Sequence, residues 1–198
     1  MARSTRESIL TAAAELMRHR GYGAVGMKDI AQASGAPIGS LYHHFRGGKV
    51  QIAREALINA GAAYALLIPS IVDDHTDLGD AMAAAFTQAA EDMAGTGFAN
   101  MCPVASVAAE TADTVPELRE ASAAIFQSWV DGGSAYFASR GLDDTLAREV
   151  TLALIGALEG AFVLARTLRS TEPLLAAGRA LAPRYRGVEL AAKIATWQ

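Results

Sequence analysis

The segment GAPIGSLYHHF, residues 35–45, gathers side chains that can bind a polar partner on one short stretch. Ser40 and Tyr42 carry hydroxyl groups, and His43 and His44 carry imidazoles. Such groups donate hydrogen bonds to phosphate oxygens or to base edges in the major groove of duplex DNA. A capped surface helix with incidental histidines is the alternative interpretation. The residue types therefore favour a nucleic-acid contact.

The spacing of the apolar residues predicts how a helix in this segment is oriented. Leu41 and Phe45 are four residues apart, so they share one helical face and can pack onto neighbouring helices. The opposite side then presents the hydroxyls and imidazoles, and the small residue Gly39 lets the backbone approach a duplex closely. Pro37 suits the first position of this helix, where its missing N–H is not needed.

Apolar periodicity and capping residues predict an all-α chain, because alternation of the strand type is missing. Ser4 and Glu7 form a capping box, Gly21 ends the first helix, and Gly35 ends the second in a left-handed conformation. Three short helices with a tight turn between the second and third are typical of a helix-turn-helix. The predicted helices run over residues 4–21, 27–34, 37–45, 49–67, 77–94, 103–112, 116–139, 143–169 and 172–195, the last with a break near 183–187.

The charge distribution is uneven along the chain. Residues 1–55 hold eight Lys or Arg against four acids, a net charge of +4, whereas residues 56–198 hold nine against seventeen, a net charge of −8. A basic head on an acidic body is typical of a protein of which one part contacts a polyanion, and chance asymmetry is the alternative. Lys49 and the N–H groups at the start of the fourth helix offer a phosphate clamp. The predicted DNA-binding residues are Lys28, Pro37, Gly39, Ser40, Tyr42, His43, His44 and Lys49.

Length and composition exclude several classes of protein. The 198 residues are 52% hydrophobic, which is ample for a core and excludes a wholly disordered chain. The longest stretches without charge have 17 residues and contain Asn, Pro or Gly, short of a convincing membrane span. A single cysteine, Cys102, can form neither an internal disulfide nor a thiolate zinc site, and no secretory leader is evident, so we expect a cytoplasmic protein. Cys102 is either a redox-sensitive thiol at a helix start or a small buried hydrophobe.

The N-terminal pattern resembles that of TetR-type bacterial transcriptional regulators. The resemblance covers about the first 55 residues and is carried by Thr5-Arg6-x-x-Ile9-Leu10-x-Ala12-Ala13, Gly21-Tyr22, Asp29-Ile30-Ala31, Gly35, Gly39-Ser40-Leu41-Tyr42-His43-His44-Phe45 and Lys49. GAPIGSLYHHFRGGK and CPVASVAAE further resemble the LmrA-like branch. The family implies a homodimer in which the helix-turn-helix, residues 1–48, binds a double-stranded DNA operator, while the helical residues 49–198 bind a small-molecule inducer and dimerise. The cap of the second helix, often Thr-Ser in the family, is Val25-Gly26 here, which predicts a weaker helix start.

Large side chains in the middle helices are candidates for the inducer site. A subset of them can line an apolar cavity that adapts to a ligand, and a few polar residues can orient it. Plain core packing of the apolar residues and surface roles for the polar ones are the alternative. The predicted ligand-binding residues are Met82, Phe86, Met101, Cys102, Ser106, Glu110, Phe126 and Trp129.

The stretch LALIGALEGAFVLARTL, within residues 150–168, is apolar nearly all round, which predicts burial on more than one face. One face can contact the chain's own domain and another a second subunit in a four-helix packing. Glu159 either pairs with Arg166 across an antiparallel seam or faces solvent. The predicted dimer-interface residues are Leu154, Gly156, Glu159, Gly160, Val163 and Leu174.

Together these features predict a ligand-responsive repressor that a small hydrophobic or amphipathic molecule releases from a palindromic operator. A helical enzyme is the rival, but the sequence has no nucleophile–base spacing, no paired carboxylates in an apolar frame and no phosphate loop. His43 and His44 point about 100° apart on a helix and cannot easily bind one ion. We therefore expect no catalysis, no cofactor and no metal. A helical interaction protein without DNA binding is the third possibility.

Overall fold

The computed structural model describes residues 4–99 and 101–192. These residues form α-helices and one short 3-10 helix, with a single isolated bridge between Asp77 and Glu189, so the all-α prediction is confirmed. Among the described α-helices, the one at Leu67–Val72 is absent from the predicted set; its Pro69 lies in the first turn, where a missing N–H breaks no helical bond. The helices are α1 (Thr5–Arg20), α2 (Met27–Ser34), α3 (Ile38–His44), α4 (Gly48–Tyr64), α5 (Leu67–Val72), α6 (Leu78–Gly95), α7 (Pro103–Thr111), α8 (Pro116–Ser139), α9 (Asp144–Leu168), α10 (Glu172–Leu181) and the 3-10 helix Ala182–Tyr185.

The chain divides into two compact units and crosses from one to the other at residues 63/64, 100/101 and 126/127. The first unit holds α1 to α4, α7 and the first part of α8, and the second holds α5, α6, the rest of α8, α9 and α10. The three N-terminal helices thus share a unit with α7, a helix distant from them in sequence. The functional boundary near residue 48 stays a prediction.

Hydrogen bonds between side chains and backbone stabilise the starts of the first two helices. The N–H of Glu7 donates to Ser4 Oγ at 3.3 Å, and the N–H of Ser4 donates to the Glu7 carboxylate at 2.9 Å, which is the capping box predicted for α1. Gly26 precedes α2 and has no side chain with which to cap it. Its own N–H donates to Asp29 Oδ2 at 2.8 Å, so one half of a capping box is kept. Gly35 ends α2 with φ at 69°, as predicted for a glycine terminator.

The second unit has its core between α6, α9, α10 and the 3-10 helix. α6 and α10 approach closely, because a Cβ atom added to Gly178 would lie 2.8 Å from Phe86 Cβ. Asp77 caps α6 by accepting from the N–H of Asp80 at 3.0 Å, and it also accepts from the N–H of Gly187 at 2.7 Å. These two hydrogen bonds hold the pKa of Asp77 below its usual value.

The end of the fold departs from the predicted helix over residues 172–195. α10 stops at Leu181, and after the 3-10 helix Gly187 adopts a positive φ of 81°. The following residues are extended and bond to the loop before α6: Leu190 N donates to Thr76 O at 2.8 Å. The predicted helix is therefore wrong over residues 186–192, and its last part lies outside the described residues. The helical run, counting the 3-10 helix, ends at Tyr185, within the break expected near 183–187.

Two stretches, residues 48–72 and 144–168, are long and apolar enough to cross a membrane, with a mean hydropathy of 1.5. The first comprises α4, a turn and α5, and the second is α9. Each stretch has 25 residues and includes a few charged ones, so it is longer than the charge-free runs of 17 residues. Length and composition do not distinguish a spanning helix from a packing helix of a soluble protein, so these stretches are weak indications of a membrane.

Candidate nucleic-acid interface

α3 has one buried and one exposed side. Leu41 and Phe45 are fully buried, whereas Tyr42, His43 and His44 are exposed, Tyr42 to 56%. The two imidazoles lie edge to face, with their ring centroids 5.3 Å apart. The structure therefore places a phenol and two imidazoles together on the outward side of a short helix, as the spacing of the apolar residues predicts.

The residues at the start of α3 are exposed or half-buried. Pro37 precedes the first helical residue, and its carbonyl accepts from the N–H of the half-buried Ser40 at 2.8 Å. Gly39 is exposed, and a Cβ atom there would meet no atom of the described chain within 4 Å. Packing within the chain therefore does not require glycine at position 39, whereas a close external surface would. Lys28, on α2, is also exposed.

Lys49 lies in the first turn of α4 and is half-buried. Its Nζ lies 3.9 Å from the centre of the Tyr22 ring, which is a cation–π contact. Burial lowers the pKa of Lys49, while the negative charges of Glu110 and Asp29 act in the opposite direction and favour the ammonium form. The ammonium group thus has an internal partner that the sequence pattern does not reveal, and any phosphate contact must form from this position.

Part of the positive charge of the N-terminal region is paired within the chain. Arg6 forms an ion pair with Glu55 and also lies over the Phe45 ring, 5.2 Å from its centre. Arg20 lies 3.6 Å from the carboxylate of Asp29. Exposed pairs of this kind contribute little to stability, but they reduce the field that the basic residues project outwards.

Two family models match the chain. The model described as "Bacterial regulatory proteins, tetR family" matches residues 9–56, a range that includes the whole of α2 and α3. The model described as "Transcriptional regulator LmrA/YxaF-like, C-terminal domain" matches residues 79–180, more than half of the chain. The chain belongs to the TetR family of transcriptional regulators. The predicted family and its LmrA-like branch are confirmed.

Relatives of this TetR-family regulator match over most of their length. The HTH-type transcriptional regulator Rv0196 of Mycobacterium tuberculosis is 36% identical over 174 residues, which cover 85% of this chain and 88% of the relative. The HTH-type transcriptional regulator LmrA of Bacillus subtilis is 32% identical over 171 residues, covering 86% and 91%. Among solved structures, a TetR transcriptional regulator from Chloroflexus aurantiacus superposes with a TM-score of 0.73 at 27% identity over 95% and 97% of the two chains. The regulatory protein TetR from Rhodobacter sphaeroides shares the fold, with a TM-score of 0.77 at 24% identity over 91% and 98%.

The residues predicted to bind an inducer are divided between the two units of the regulator. Met82 and Phe86 lie in the core of the second unit, each 1% exposed, which agrees with the alternative of plain core packing. Trp129 is half-buried and stacks on Tyr64, with the ring centroids 6.2 Å apart and the planes at 20°. The first unit holds Met101, Cys102, Ser106, Glu110 and Phe126, and the second holds Met82, Phe86 and Trp129.

Two of these residues have local roles on α7. Cys102 is its N-cap, and the buried thiol accepts from the N–H of Ala105 at 3.4 Å, so the predicted place at a helix start is correct. The carboxylate of Glu110 accepts from the backbone N–H groups of Tyr22 and Gly23, both at 2.6 Å. In this conformation Glu110 is therefore bound to the turn after α1 and does not offer its carboxylate to a ligand.

A groove of about 600 Å³ lies between α1 and α2, and no residue predicted for the inducer lines it. Most of its lining residues are small or polar side chains on α1. The sequence gives no signal for it, because nothing in the α1 pattern distinguishes a groove wall from an ordinary surface. The lining residues are Ser8, Thr11, Ala12, Glu15, Leu16, His19, Arg20, Ala33 and Ser34.

α9 of the regulator has an exposed apolar stripe, on which residues three or four apart line up. Gly156, Gly160 and Val163, all predicted for the dimer interface, lie on this stripe, and Glu159 is half-buried beside it. Leu154 and Leu174, in contrast, are 2% and 0% exposed in the core of the second unit, so these two assignments are corrected: they pack inside the chain. The α9 stripe consists of Leu152, Gly156, Gly160, Val163, Leu164 and Leu168.

Proposed function

We propose that this TetR-family regulator is a repressor that binds a palindromic operator as a homodimer and is released by a small hydrophobic or amphipathic molecule. The observation that carries the DNA-binding part is the outward side of α3, where Tyr42, His43 and His44 are exposed opposite the buried Leu41 and Phe45. A helix of this kind enters a major groove, with its phenol and imidazoles near base edges and phosphates.

The α9 stripe supports the homodimer. Contiguous apolar groups exposed on a single chain mark a surface for another protein. Among the described residues, no atom outside the local helix backbone lies within 4 Å of a Cβ added at Gly156 or Gly160, so a second helix has room to approach closely. Dimeric helix-turn-helix proteins contact half-sites about 34–36 Å apart, which is one turn of DNA. Two-fold symmetry of the protein then matches a palindromic operator.

Release by an inducer follows from linkage between two binding events. A molecule that binds better to a conformation with the wrong spacing of the two α3 helices lowers the affinity for DNA, and DNA lowers the affinity for that molecule by the same factor. Of the residues predicted to bind it, Ser106 and Phe126 of the first unit and, separately, Trp129 of the second unit are half-buried. Aromatic rings with one hydroxyl favour a molecule that is mostly apolar.

The proposal also covers the cellular compartment and the function of each part of the chain. A regulator of this kind acts in the cytoplasm without membrane contact, and the apolar stretches at 48–72 and 144–168 serve as packing and dimerisation helices. In this proposal residues 1–48 are the DNA-binding domain, with Lys49 adding a phosphate contact at the start of α4, and residues 49–198 bind the ligand and dimerise. Catalysis forms no part of the function. In the described part of the chain, no group of three or more His, Cys, Asp or Glu could hold a metal ion.

A titration with duplex DNA from upstream of the gene, repeated at several salt concentrations, tests the proposal. We expect binding that weakens steeply with added salt. His43→Ala should weaken it by about 5- to 100-fold, the range of one good base contact. His19→Ala is the matched control, because it removes an exposed imidazole from α1 in the same unit and should leave the affinity unchanged.

Equal effects of the two histidine variants would contradict the assignment of α3. Failure of the unaltered protein to bind any duplex would favour the helical interaction protein instead. With DNA binding established, a panel of hydrophobic drugs and metabolites tests the inducer response, and a compound that dissociates the complex identifies the chemical class. If none does so, the ligand-responsive part of the proposal fails while the DNA-binding part stands.

A further inference from the structure

Glu110 forms an unusual contact near the end of α7. Its two carboxylate oxygens accept from two consecutive backbone N–H groups, Oε2 from Tyr22 and Oε1 from Gly23, both at 2.6 Å. A Cβ atom added to Gly21 or Gly23 would lie 2.6 or 2.5 Å from these oxygens. The glycines on either side of Tyr22 therefore make room for the carboxylate, and charge-assisted bonds of this kind are stronger than neutral ones.

The contact continues from Tyr22 to the lysine of the DNA-binding set. Tyr22 belongs to the turn that Glu110 holds, and the Nζ of Lys49 lies 3.9 Å from the centre of the Tyr22 ring. Burial raises the pKa of the Tyr22 hydroxyl, and the negative charges of Glu110 and Glu117 raise it further. Tyr22 therefore stays neutral at physiological pH. A neutral ring face with a fixed backbone is a rigid support for a cation.

We propose that Glu110 is a positioning residue for DNA binding: it fixes the turn at Tyr22 and Gly23, and the Tyr22 ring in turn holds Lys49 at the start of α4 for a phosphate. The inference rests on the proposed function, since it concerns the way in which the DNA-binding set is oriented. It gives α7 a route to the DNA contact through two side chains.

The slope of log binding constant against log salt concentration tests the proposal, because it counts phosphate contacts. Lys49→Ala should reduce the magnitude of the slope by about 0.9, the value for one phosphate on duplex DNA. Glu110→Ala should reduce the slope by the same amount and weaken DNA binding to a similar degree, even though this change removes a negative charge. The double variant should be no weaker than Lys49→Ala alone, because both changes remove the same contact.

Two variants separate positioning from general effects. Glu117→Ala removes an equal charge from an exposed position in the same unit and should leave the slope unchanged, which controls for the long-range field. Tyr22→Phe keeps the ring and should bind as the unaltered protein does, whereas Tyr22→Leu should reproduce Glu110→Ala. Circular dichroism and thermal unfolding verify that each variant is folded. If Glu110→Ala does not fold, the pair of Tyr22 variants decides.

The outcomes distinguish this inference from the proposed function. If the unaltered protein shows no salt-dependent binding to an upstream duplex, the proposed function fails and the inference with it. If the unaltered protein and Lys49→Ala behave as expected but Glu110→Ala keeps the full slope, only the inference is overturned. Additive losses in the double variant would also overturn it, because Glu110 would then act on DNA binding independently of Lys49.

Discussion

Arg140 Nη1 lies 3.0 Å from Asp73 Oδ1, and this ion pair joins the end of α8 to the residue that follows α5. The Tyr136 hydroxyl donates to the same oxygen at 2.7 Å and accepts from Arg140 Nη1 at 2.8 Å. Arg140 also donates to the carbonyl oxygens of His75 and Ala191. Because the Arg140 side chain is only 3% exposed, this network holds three separate parts of the second unit together.

Arg140→Met should destabilise the regulator by about 3–5 kcal/mol, because breaking a buried pair leaves the partner carboxylate without its compensating charge. Arg148→Met is the matched control: Arg148 is half exposed and lies 3.6 Å from Asp131, so its loss should cost less than about 1 kcal/mol. Urea unfolding followed by circular dichroism measures both changes. Equal midpoints for the two variants would contradict a structural role for the Arg140 network.

Tyr136 should give the protein a measurable dependence on alkaline pH. Burial in the first place, together with the hydrogen bond to Asp73, raises the pKa of its hydroxyl from 10.0 to about 12, although Arg140 acts in the opposite direction. Above pH 10 the unfolded chain loses this proton before the folded one does. The contribution to stability is therefore complete below pH 10 and is lost as the pH rises towards 12.

The ultraviolet absorbance of tyrosinate, titrated in the folded protein, checks the shift of Tyr136. Tyr136→Phe should remove one late-ionising tyrosine and flatten the alkaline fall in the free energy of unfolding, while the raised pKa of Tyr22 persists. Loss of a tyrosine that ionises near pH 10, with the late-ionising absorbance unchanged, would show that the Tyr136 hydroxyl ionises in its ordinary range.

Two neighbouring glycines in α8 should respond oppositely to alanine. A Cβ atom on Gly133 would lie 2.6 Å from Thr151 Cγ2 of α9, whereas one on Gly132 would meet no atom of the described part of the chain within 4 Å. Gly133→Ala should therefore cost about 1–3 kcal/mol through overpacking. Gly132→Ala should stabilise the protein by about 0.5–1 kcal/mol, because alanine loses less backbone entropy in a helix. Thermal unfolding of both variants is the measurement, and a shift in the same direction would contradict the close α8–α9 contact.

The α9 stripe should control the oligomeric state. Val163 is 51% exposed in the chain, so Val163→Arg should give a folded monomer if a second subunit covers the stripe. Leu154→Arg should instead unfold the protein, because Leu154 is buried in its own core. Light scattering gives the mass and circular dichroism the helix content. Thr87→Arg, at an exposed position on α6, should remain dimeric, and a dimeric Val163→Arg protein would place the interface elsewhere.

Local signals in the sequence predict the N-terminal helices well. The capping box of Ser4 and Glu7 and the four-residue spacing of Leu41 and Phe45 depend only on nearby residues, so the sequence is sufficient for the start of α1 and for the two sides of α3. The same reasoning is insufficient for α9. That helix is apolar nearly all round, and periodicity cannot tell that Leu154 faces the core while Leu152 and Val163 do not.

Long-range contacts between a side chain and the backbone are hard to predict from a sequence. Glu110 is 88 residues from Tyr22, and its partners are backbone N–H groups, which every residue except proline carries. Its position among apolar helices was therefore compatible with a ligand site as well as with the turn after α1. The glycines at 21 and 23 are the only hint, and glycines in a turn have a simpler explanation in their backbone freedom.

The first unit, which holds α1 to α4, also includes α7, so this unit is built from two separate segments of the chain. A fragment that ends after α4 would lack the carboxylate that holds the turn at Tyr22 and would uncover the side of α1 that packs on α7. A chimaera that joins only the first sixty or so residues to a different C-terminal domain is therefore expected to need, in that domain, a helix that replaces α7. We therefore expect that transfer of α1 to α4 into another protein also requires α7, which follows α5 and α6 in the chain.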